Sequence, residues 1–249
     1  MTDLHYLTPE RIDLQRQRVV IEGDEFHHLS RVLRKGEGDV IRITDGNGLC
    51  ADVRIERCGR SSIEGSILHF RRVPRPGTAV TIAMSMLKSH HRFDLFLEKA
   101  TELGVSRIMP MITSRTVSNP VPEKIDRKLL RWKSVVLAAS RQCRRFHVPE
   151  ILEPVSFHDA LRLQGYDCRL IPHESSVKSA TIDVVGRKLL FLVGGEGGFA
   201  PEEVHLAAEA GFLPVSFGNT VLRAETAGLF AVAMVRAALL EHGNPDQWL

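Results

Sequence analysis

The hydrophobic patterning of this chain changes character at Arg71-Arg72-Val73-Pro74-Arg75-Pro76-Gly77, where two prolines and a glycine read as a linker. Ahead of it lie short β-prone runs at Arg18 to Ile21 and Val40 to Thr44, the alternating run Cys50 to Glu56, and another strand within Ser61 to Val73. Asp45-Gly46-Asn47-Gly48 is a strong turn signal between two of them. One helix interrupts the strands. It starts near Asp24, with Phe26, Leu29, Val32 and Leu33 expected on one face and Arg31, Arg34 and Lys35 on the other. Several short strands with tight turns predict a small β-barrel.

Past the linker, strands and helices alternate. Ala79 to Met84 reads as a buried strand, and Phe93, Leu97, Ala100 and Leu103 mark an amphipathic helix ended by Gly104. Arg107 to Ile112 is predicted as a strand and Pro122 to Ser140 as a helix. Asp167 to Ile171 and Lys188 to Val193 follow as strands, and Pro201 starts a helix. Phe212 to Phe217 is the last strand and Ala224 to Glu241 the last helix. Such alternation predicts an α/β domain with a mostly parallel sheet. The boundary falls near residue 75, giving domains 1–75 and 76–249.

Other classes are disfavoured by what the chain lacks. MTDLHYLTPERIDLQ is polar throughout and has no secretory core. The most apolar stretch, Thr226 to Leu240, is too short to span a bilayer and contains Arg236. Cys50, Cys58, Cys143 and Cys168 show neither CxxC pairing nor clustering with histidine, so a reducing, cytoplasmic setting without disulfide or metal is expected. The net charge of +3 is small, but its distribution is uneven. Lys124, Arg127, Lys128, Arg131, Lys133, Arg141, Arg144 and Arg145 face one acid, Asp126, in a run that would attract phosphate or else form a solvated helix face.

Three loops that follow strands carry the chemistry. Val193-Gly194-Gly195-Glu196-Gly197-Gly198-Phe199 places four glycines ahead of the Pro201 helix, so backbone can approach a ligand and free N–H groups can meet an anion or a base edge. Gly195, Gly197 and Ala200 also fit GxGxxA. A dinucleotide site needs an acid at the end of the next strand, however, and that strand ends at Phe217-Gly218-Asn219. The second loop runs on through Thr220-Val221-Leu222-Arg223-Ala224-Glu225-Thr226-Ala227. Arg223 and Glu225 on their own read equally well as a surface pair capping a helix. The third is Leu170-Ile171-Pro172-His173-Glu174, where His173 is a base, a ligand or a structural histidine. A shared crevice at the carboxyl ends of the strands is the expectation.

Together, Val193–Phe199 and Phe217–Ala227 resemble the cofactor loops of SPOUT methyltransferases, and more closely those of the bacterial RsmE family, which methylates N3 of a uridine in 16S rRNA. The resemblance extends over nearly the whole chain. His28-Leu29-Ser30-Arg31-Val32-Leu33-Arg34 matches an "H-x-x-RVLR" helix, and Asp45-Gly46 falls in the family's turn. Glu98 to Val105 matches "QKATELGV". Ser114-Arg115, Trp132-Lys133, Ala138-Ala139, Gln142 and Val148-Pro149-Glu150 fall in family order.

This resemblance implies a PUA-like β-barrel that grips RNA, followed by a trefoil-knotted α/β domain that forms a homodimer across the knots with help from the last helix. It implies S-adenosyl-L-methionine (SAM) as cofactor, held by Ile171, Pro172 and His173, by Gly194, Glu196, Gly197, Gly198 and Phe199, and by Phe217, Gly218, Val221, Leu222, Arg223 and Thr226. The RNA partner, 16S rRNA within the 30S subunit, is assigned to Arg31, Arg34, Lys35, Arg115, Arg141, Arg144 and Arg145. Arg223 is expected to stabilise charge on the uracil, and Glu225 or Glu196 to orient the base or accept its proton. Neither a membrane nor a metal is implied. The sequence departs from the family pattern at Gly195, where proline is usual, at Arg141, where glutamate is common, and at Arg144, where glycine is common. The two arginines are read as altered phosphate contacts. Two rival readings remain: a SPOUT enzyme with another RNA target, such as tRNA ribose, and a non-catalytic RNA-binding or assembly protein.

Overall fold

The computed structural model describes residues 3–116, 122–173 and 183–241, so Glu174 of the third loop lies outside the described residues. The chain divides into two units. One is the chain through Arg75 together with Ser140–Val148, and the other is Pro76–Ala139 with the chain from Pro149 onward.

In the first unit, β1 (Leu4–Tyr6), β2 (Ile12–Asp13), β3 (Arg18–Glu22), α1 (Gly23–His27), β4 (Val40–Thr44), β5 (Leu49–Cys58) and β6 (Ser62–Arg72) follow in order. The sheet order is β1-β4-β5-β6-β3-β2, with β1 and β4 parallel and the other pairs antiparallel. Its edges do not pair with each other, so the sheet is a curled half-barrel. Alternation turns Val19, Ile21, Ile41, Ile43, Val53, Ile55 and Ile63 inward, and Phe26 and Leu29 join them in one core. Register shifts at Asp52/Val53 and Ile55/Arg57 bend the long β5–β6 hairpin.

The helical segment differs from expectation at one residue. After α1 the chain widens into a π turn over His28–Val32, with the Leu33 N–H donating to the His28 carbonyl at 3.0 Å. A π turn inserts an extra residue per turn and so rotates the following side chains. Val32, expected on the apolar face, is instead 67% exposed, while Leu29 stays buried and Leu33 packs against the core.

Residues Ser140–Val148, read from sequence as part of the carboxy-terminal domain, group with the first unit. The Gly48 N–H donates to the Phe146 carbonyl at 2.8 Å and the Val148 N–H to the Gly46 carbonyl at 3.0 Å, with His147 Nε2 lying 2.9 Å from the Val73 carbonyl. The Tyr6 hydroxyl donates to the Arg145 carbonyl. Burial, first of all, pushes the Tyr6 phenol well above its ordinary range.

The second unit contains β7 (Ala79–Ser85), α2 (His90–Leu103), β8 (Arg107–Ile112), α3 (Pro122–Gln142, whose last residues belong to the first unit), β9 (Glu150–Ile151), β10 (Val155–Ser156), α4 (Phe157–Leu161), β11 (Cys168–Pro172), β12 (Lys188–Val193), α5 (Pro201–Glu209), β13 (Leu213–Val215) and α6 (Ala224–Glu241). All strand pairs are parallel, in the order β10-β8-β7-β12-β11-β13, with β9 on β8. The carboxyl ends of all these strands therefore share one edge of the sheet.

β12 is buried from Leu189 to Val193, as a strand covered on both faces must be. On α2, Phe93, Phe96, Leu97, Ala100 and Thr101 form the buried stripe, and Phe93 meets the Trp132 ring of α3 at 4.9 Å. α6 lies close on β7 and α2. A Cβ added at Gly228 would stand 2.5 Å from Met84 Cε and 2.6 Å from Phe96 Cε2, so only glycine admits that approach. No helix among the described residues is long and apolar enough to cross a membrane.

Candidate functional site

The glycine loop after β12 is a tight turn with Glu196 and Gly197 at its tip. Gly195 and Gly198 form an antiparallel bridge, and the Gly198 N–H donates to the Gly195 carbonyl at 3.0 Å. Gly198 sits at φ +64°, in the left-handed region that other residues enter only with strain. A Cβ on Gly194 would lie 2.9 Å from the Gly198 carbonyl carbon, so the two arms of the turn close only without one. The turn is also anchored. Glu196 Oε1 accepts from the Lys88 N–H at 3.1 Å, which commits one oxygen of that carboxylate to the segment ahead of α2.

Behind this loop α5 starts at Pro201. Ala200 has no side-chain acceptor, so only the return arm of a capping box forms, with the Ala200 N–H donating to Glu203 Oε2 at 2.9 Å. The other Glu203 oxygen accepts from the Ser114 N–H at 2.8 Å. The loop after β8 is thereby tied to α5, and it folds on itself as well. The hydroxyls of Ser85, Thr113 and Thr116 lie 2.9 to 3.2 Å from one another, and the Thr113 N–H donates to Thr116 Oγ1 at 2.8 Å. Between these two anchors the Arg115 side chain crosses to the glycine turn, where its Nη1–H donates to the Gly197 carbonyl at 2.7 Å.

β11 extends past its end, because the His173 N–H donates to the Val215 carbonyl of β13 at 3.0 Å. That bond sets His173 beside the loop leading to α6, which turns at Gly218. The three post-strand loops surround one cavity of about 350 Å³, within the range of small-molecule sites. Of the residues expected to hold the ligand, Pro172, His173, Gly194, Glu196, Gly197, Gly198, Phe199, Phe217, Gly218, Val221 and Leu222 line it. Ile171, Arg223 and Thr226 are not among its lining residues; Ile171 is buried in the core. Gly195, Thr220, Ala224 and Ala227 line it as well, and so does Arg115, which was assigned to RNA.

The expected catalytic pair stands apart from the cavity lining. The Arg223 carbonyl accepts from the Ala227 N–H at 2.8 Å, starting α6, and its side chain is exposed. Glu225 is buried. Its Oε1 lies 3.7 Å from Arg92 Nε on α2, and its Oε2 has no hydrogen-bond partner among the described residues. No group of three metal-ligating side chains occurs among the described residues.

The basic residues assigned to RNA are dispersed. In the first unit Arg31 and Arg34 are exposed and Lys35 is half-buried. Arg141 pairs with Glu25, Nη2 to Oε1 at 2.6 Å, a partner the sequence did not suggest. Glu25 also lies 3.2 Å from His5 Nδ1. Burial pushes the Glu25 carboxyl up, but the His5 hydrogen bond and the neighbouring positive charges outweigh it and hold the group below its ordinary range. Arg144 Nη2 lies 3.7 Å from Asp3, and its backbone sits at φ +58° where the related pattern has glycine.

The sequence matches the RNA methyltransferase domain family over residues 74–236 and the RNA methyltransferase PUA domain family over residues 21–68. A Mycobacterium bovis protein named ribosomal RNA small subunit methyltransferase E is 31% identical over 87% of this chain and 85% of its own. The crystal structure of a ribosomal RNA small subunit methyltransferase E from Neisseria gonorrhoeae, bound to SAM, is 29% identical and superposes with a TM-score of 0.84 over 96% of this chain and 98% of that one. A Legionella pneumophila methyltransferase in complex with SAM gives the same identity, TM-score and coverage.

Proposed function

We propose, for a chain that belongs to the ribosomal RNA small subunit methyltransferase E family, that it transfers a methyl group from SAM to N3 of a uridine in 16S rRNA. The observation that carries this reading is the single cavity that the three post-strand loops enclose. The residues present fit SAM. The glycine turn offers backbone without Cβ atoms to block it, while Val221, Leu222, Phe199 and Phe217 supply apolar walls beside the polar Thr220 and His173.

When bound, SAM supplies an electrophilic methyl group on a sulfonium. What the protein adds is position and electrostatics. N3 lies on the Watson–Crick edge, so the uridine must be unpaired or swung out before it enters the cavity. Its N3–H bond breaks, with the proton passing to solvent, and the N3 lone pair forms the new N–CH3 bond as the S–CH3 bond breaks. Glu196 holds the glycine turn to the Lys88 amide, and Glu225 at the start of α6 pairs with Arg92 of α2, so both carboxylates position the loops in this reading.

The half-barrel unit, with Arg31, Arg34 and Lys35 on its helical segment, holds the RNA backbone. The protein is a cytoplasmic homodimer through its second unit, a reading supported by the exposed apolar side chains of Val221, Phe230 and Leu240 in and just ahead of α6. Mass mapping of nucleosides in 16S rRNA from a deletion strain tests the activity. The strain should lack one N3-methyluridine, and purified protein with SAM should restore it. Restoration of a different modified nucleoside would sink the assignment.

A further inference from the structure

We propose that Arg115 is the residue that reads the target base: its guanidinium donates to a carbonyl oxygen next to N3, stabilising the charge that develops there and selecting uracil over cytosine. This rests on the functional reading above and adds a group to its site.

The position comes first. Arg115 follows β8, which pairs with β7, which pairs with β12, and all three run parallel. Its loop therefore opens on the same sheet edge as the glycine turn, and its side chain lines the cavity, whereas that of Arg223 does not. Second, the side chain is held. The loop is anchored on one side by the Ser85, Thr113 and Thr116 hydroxyls and on the other by the Ser114 N–H on Glu203. The guanidinium itself is fixed by its bond to the Gly197 carbonyl at 2.7 Å. A Cβ on Gly197 would stand 3.4 Å from Arg115 Cβ and Cδ, an ordinary contact distance, so the arginine lies directly over the turn.

The third point is its charge. No carboxylate among the described residues pairs with Arg115, although Glu196 is on the same turn; one oxygen of that carboxylate accepts from the Lys88 N–H instead. Arginine carries five N–H donors and no acceptor, and the Gly197 carbonyl takes one of them. The rest form a fixed, permanently charged donor set at the cavity wall.

Uracil matches that set. Its two carbonyl oxygens flank N3, and loss of the N3 proton to solvent spreads the negative charge onto both. A fixed guanidinium in contact with one of them favours the ionised base over the neutral one. The C4 oxygen is the one that distinguishes the bases: cytosine carries an amino donor there and would set N–H against N–H. The arginine stays protonated throughout, so the balance of the transfer is unchanged.

The test is single-turnover methylation at saturating SAM, with 30S subunits from a strain lacking the modification, across a range of pH. Arg115→Ala and Arg115→Gln should each slow the transfer by roughly 10²–10³-fold. Their rates should keep rising to higher pH than the wild type, because ionisation of the base has lost its stabilising charge. Arg115→Lys should regain part of the rate and of the pH profile, as a point charge without the planar fork. SAM affinity by calorimetry should change by less than about threefold, a difference of well under one tenfold step. Wild-type rates in Arg115→Ala would overturn the proposal. So would a rate loss matched by lost SAM affinity, which would make the arginine a cofactor ligand, or an alkaline shift produced by Arg223→Ala and not by Arg115→Ala. Absence of methylation by the wild-type protein would refute the functional reading itself and is read from the same series.

Discussion

Reversing the charge at Arg141 isolates what the Ser140–Val148 segment contributes to the first unit. The Glu25 side chain is 9% exposed, and its carboxylate lies 2.6 Å from Arg141 and 3.2 Å from His5. Breaking a fully buried pair costs about 3–5 kcal/mol, whereas an exposed one contributes roughly 0–1 kcal/mol. The Arg141 side chain is 41% exposed, so its pairing is partly screened and the appropriate figure lies between. We expect Arg141→Ala to cost about 2 kcal/mol. In Arg141→Glu the shorter side chain sets a second carboxylate roughly 5 Å from Glu25, a repulsion of about 3 kcal/mol before screening, and we expect a total cost of about 3–4 kcal/mol.

The pH dependence gives the sign. In the wild type Glu25 titrates below its unfolded value, so its contribution is present above the ordinary carboxylate range and is lost as pH falls through the folded value. In Arg141→Glu, burial and the like charge both raise that value, and stability is lost as pH rises. The gap between the two proteins in urea unfolding, followed by circular dichroism, should therefore be wide near pH ~7 and narrow towards pH ~4. Glu25→Gln in the Arg141→Glu background should recover about half of it by removing the repulsion. A gap that is the same at both pH values, or no recovery by Glu25→Gln, would show that the pair carries no such energy.

Further substitutions probe the rest of the structure. Gly228→Ala should destabilise by about 1–3 kcal/mol in urea unfolding, because the new methyl group meets Met84 and Phe96 at 2.5 and 2.6 Å; a neutral result would mean that α6 moves away freely. Gly197→Val should weaken SAM binding at least tenfold by calorimetry, since a branched side chain on the glycine turn would block close approach of the cofactor to its backbone; unchanged affinity in a folded variant would place the cofactor elsewhere. Arg31→Ala with Arg34→Ala should flatten the salt dependence of rRNA binding by roughly one unit of slope for each phosphate no longer neutralised, and leave SAM affinity alone; an unchanged slope would make both arginines solvated charges.

What the sequence conveyed about the fold depended on how local the signal was. Lys188–Val193 and Arg107–Ile112 read correctly as strands because they are continuous apolar runs, and Ala224–Glu241 as a helix because its length and composition leave few alternatives. The strands Ile12–Asp13, Glu150–Ile151 and Val155–Ser156 are two residues long and exist only through their neighbours in the sheet. Val32 was misplaced because 3.6-residue periodicity does not carry through a π turn. Ser140–Val148 carried a strong signal, a run of positive charge, but the charge did not disclose its partner. Glu25 is over a hundred residues away in sequence, and several other bonds of the segment are to backbone at Gly46, Gly48 and Val73, which leaves no mark on composition.

The same distinction explains the site. Each of the three loops was visible because glycine, proline and charged residues follow directly on a strand, and the cavity gathers most of the residues singled out on that ground. Arg115 follows a strand too, but its loop has neither the glycine run of Val193–Phe199 nor the Pro-His pair of the third loop, so its link to the site depends on strand order. β8 lies two places from β12 in the sheet though some eighty residues before it in the chain, and no period or motif encodes that adjacency. Arg223 shows the converse. Its motif stood out, yet the start of a helix fixes only its backbone, through the Ala227 N–H on its carbonyl, and leaves the side chain exposed. A motif thus located the ends of the strands that build this cavity, whereas the order of the sheet brought Arg115 into its lining.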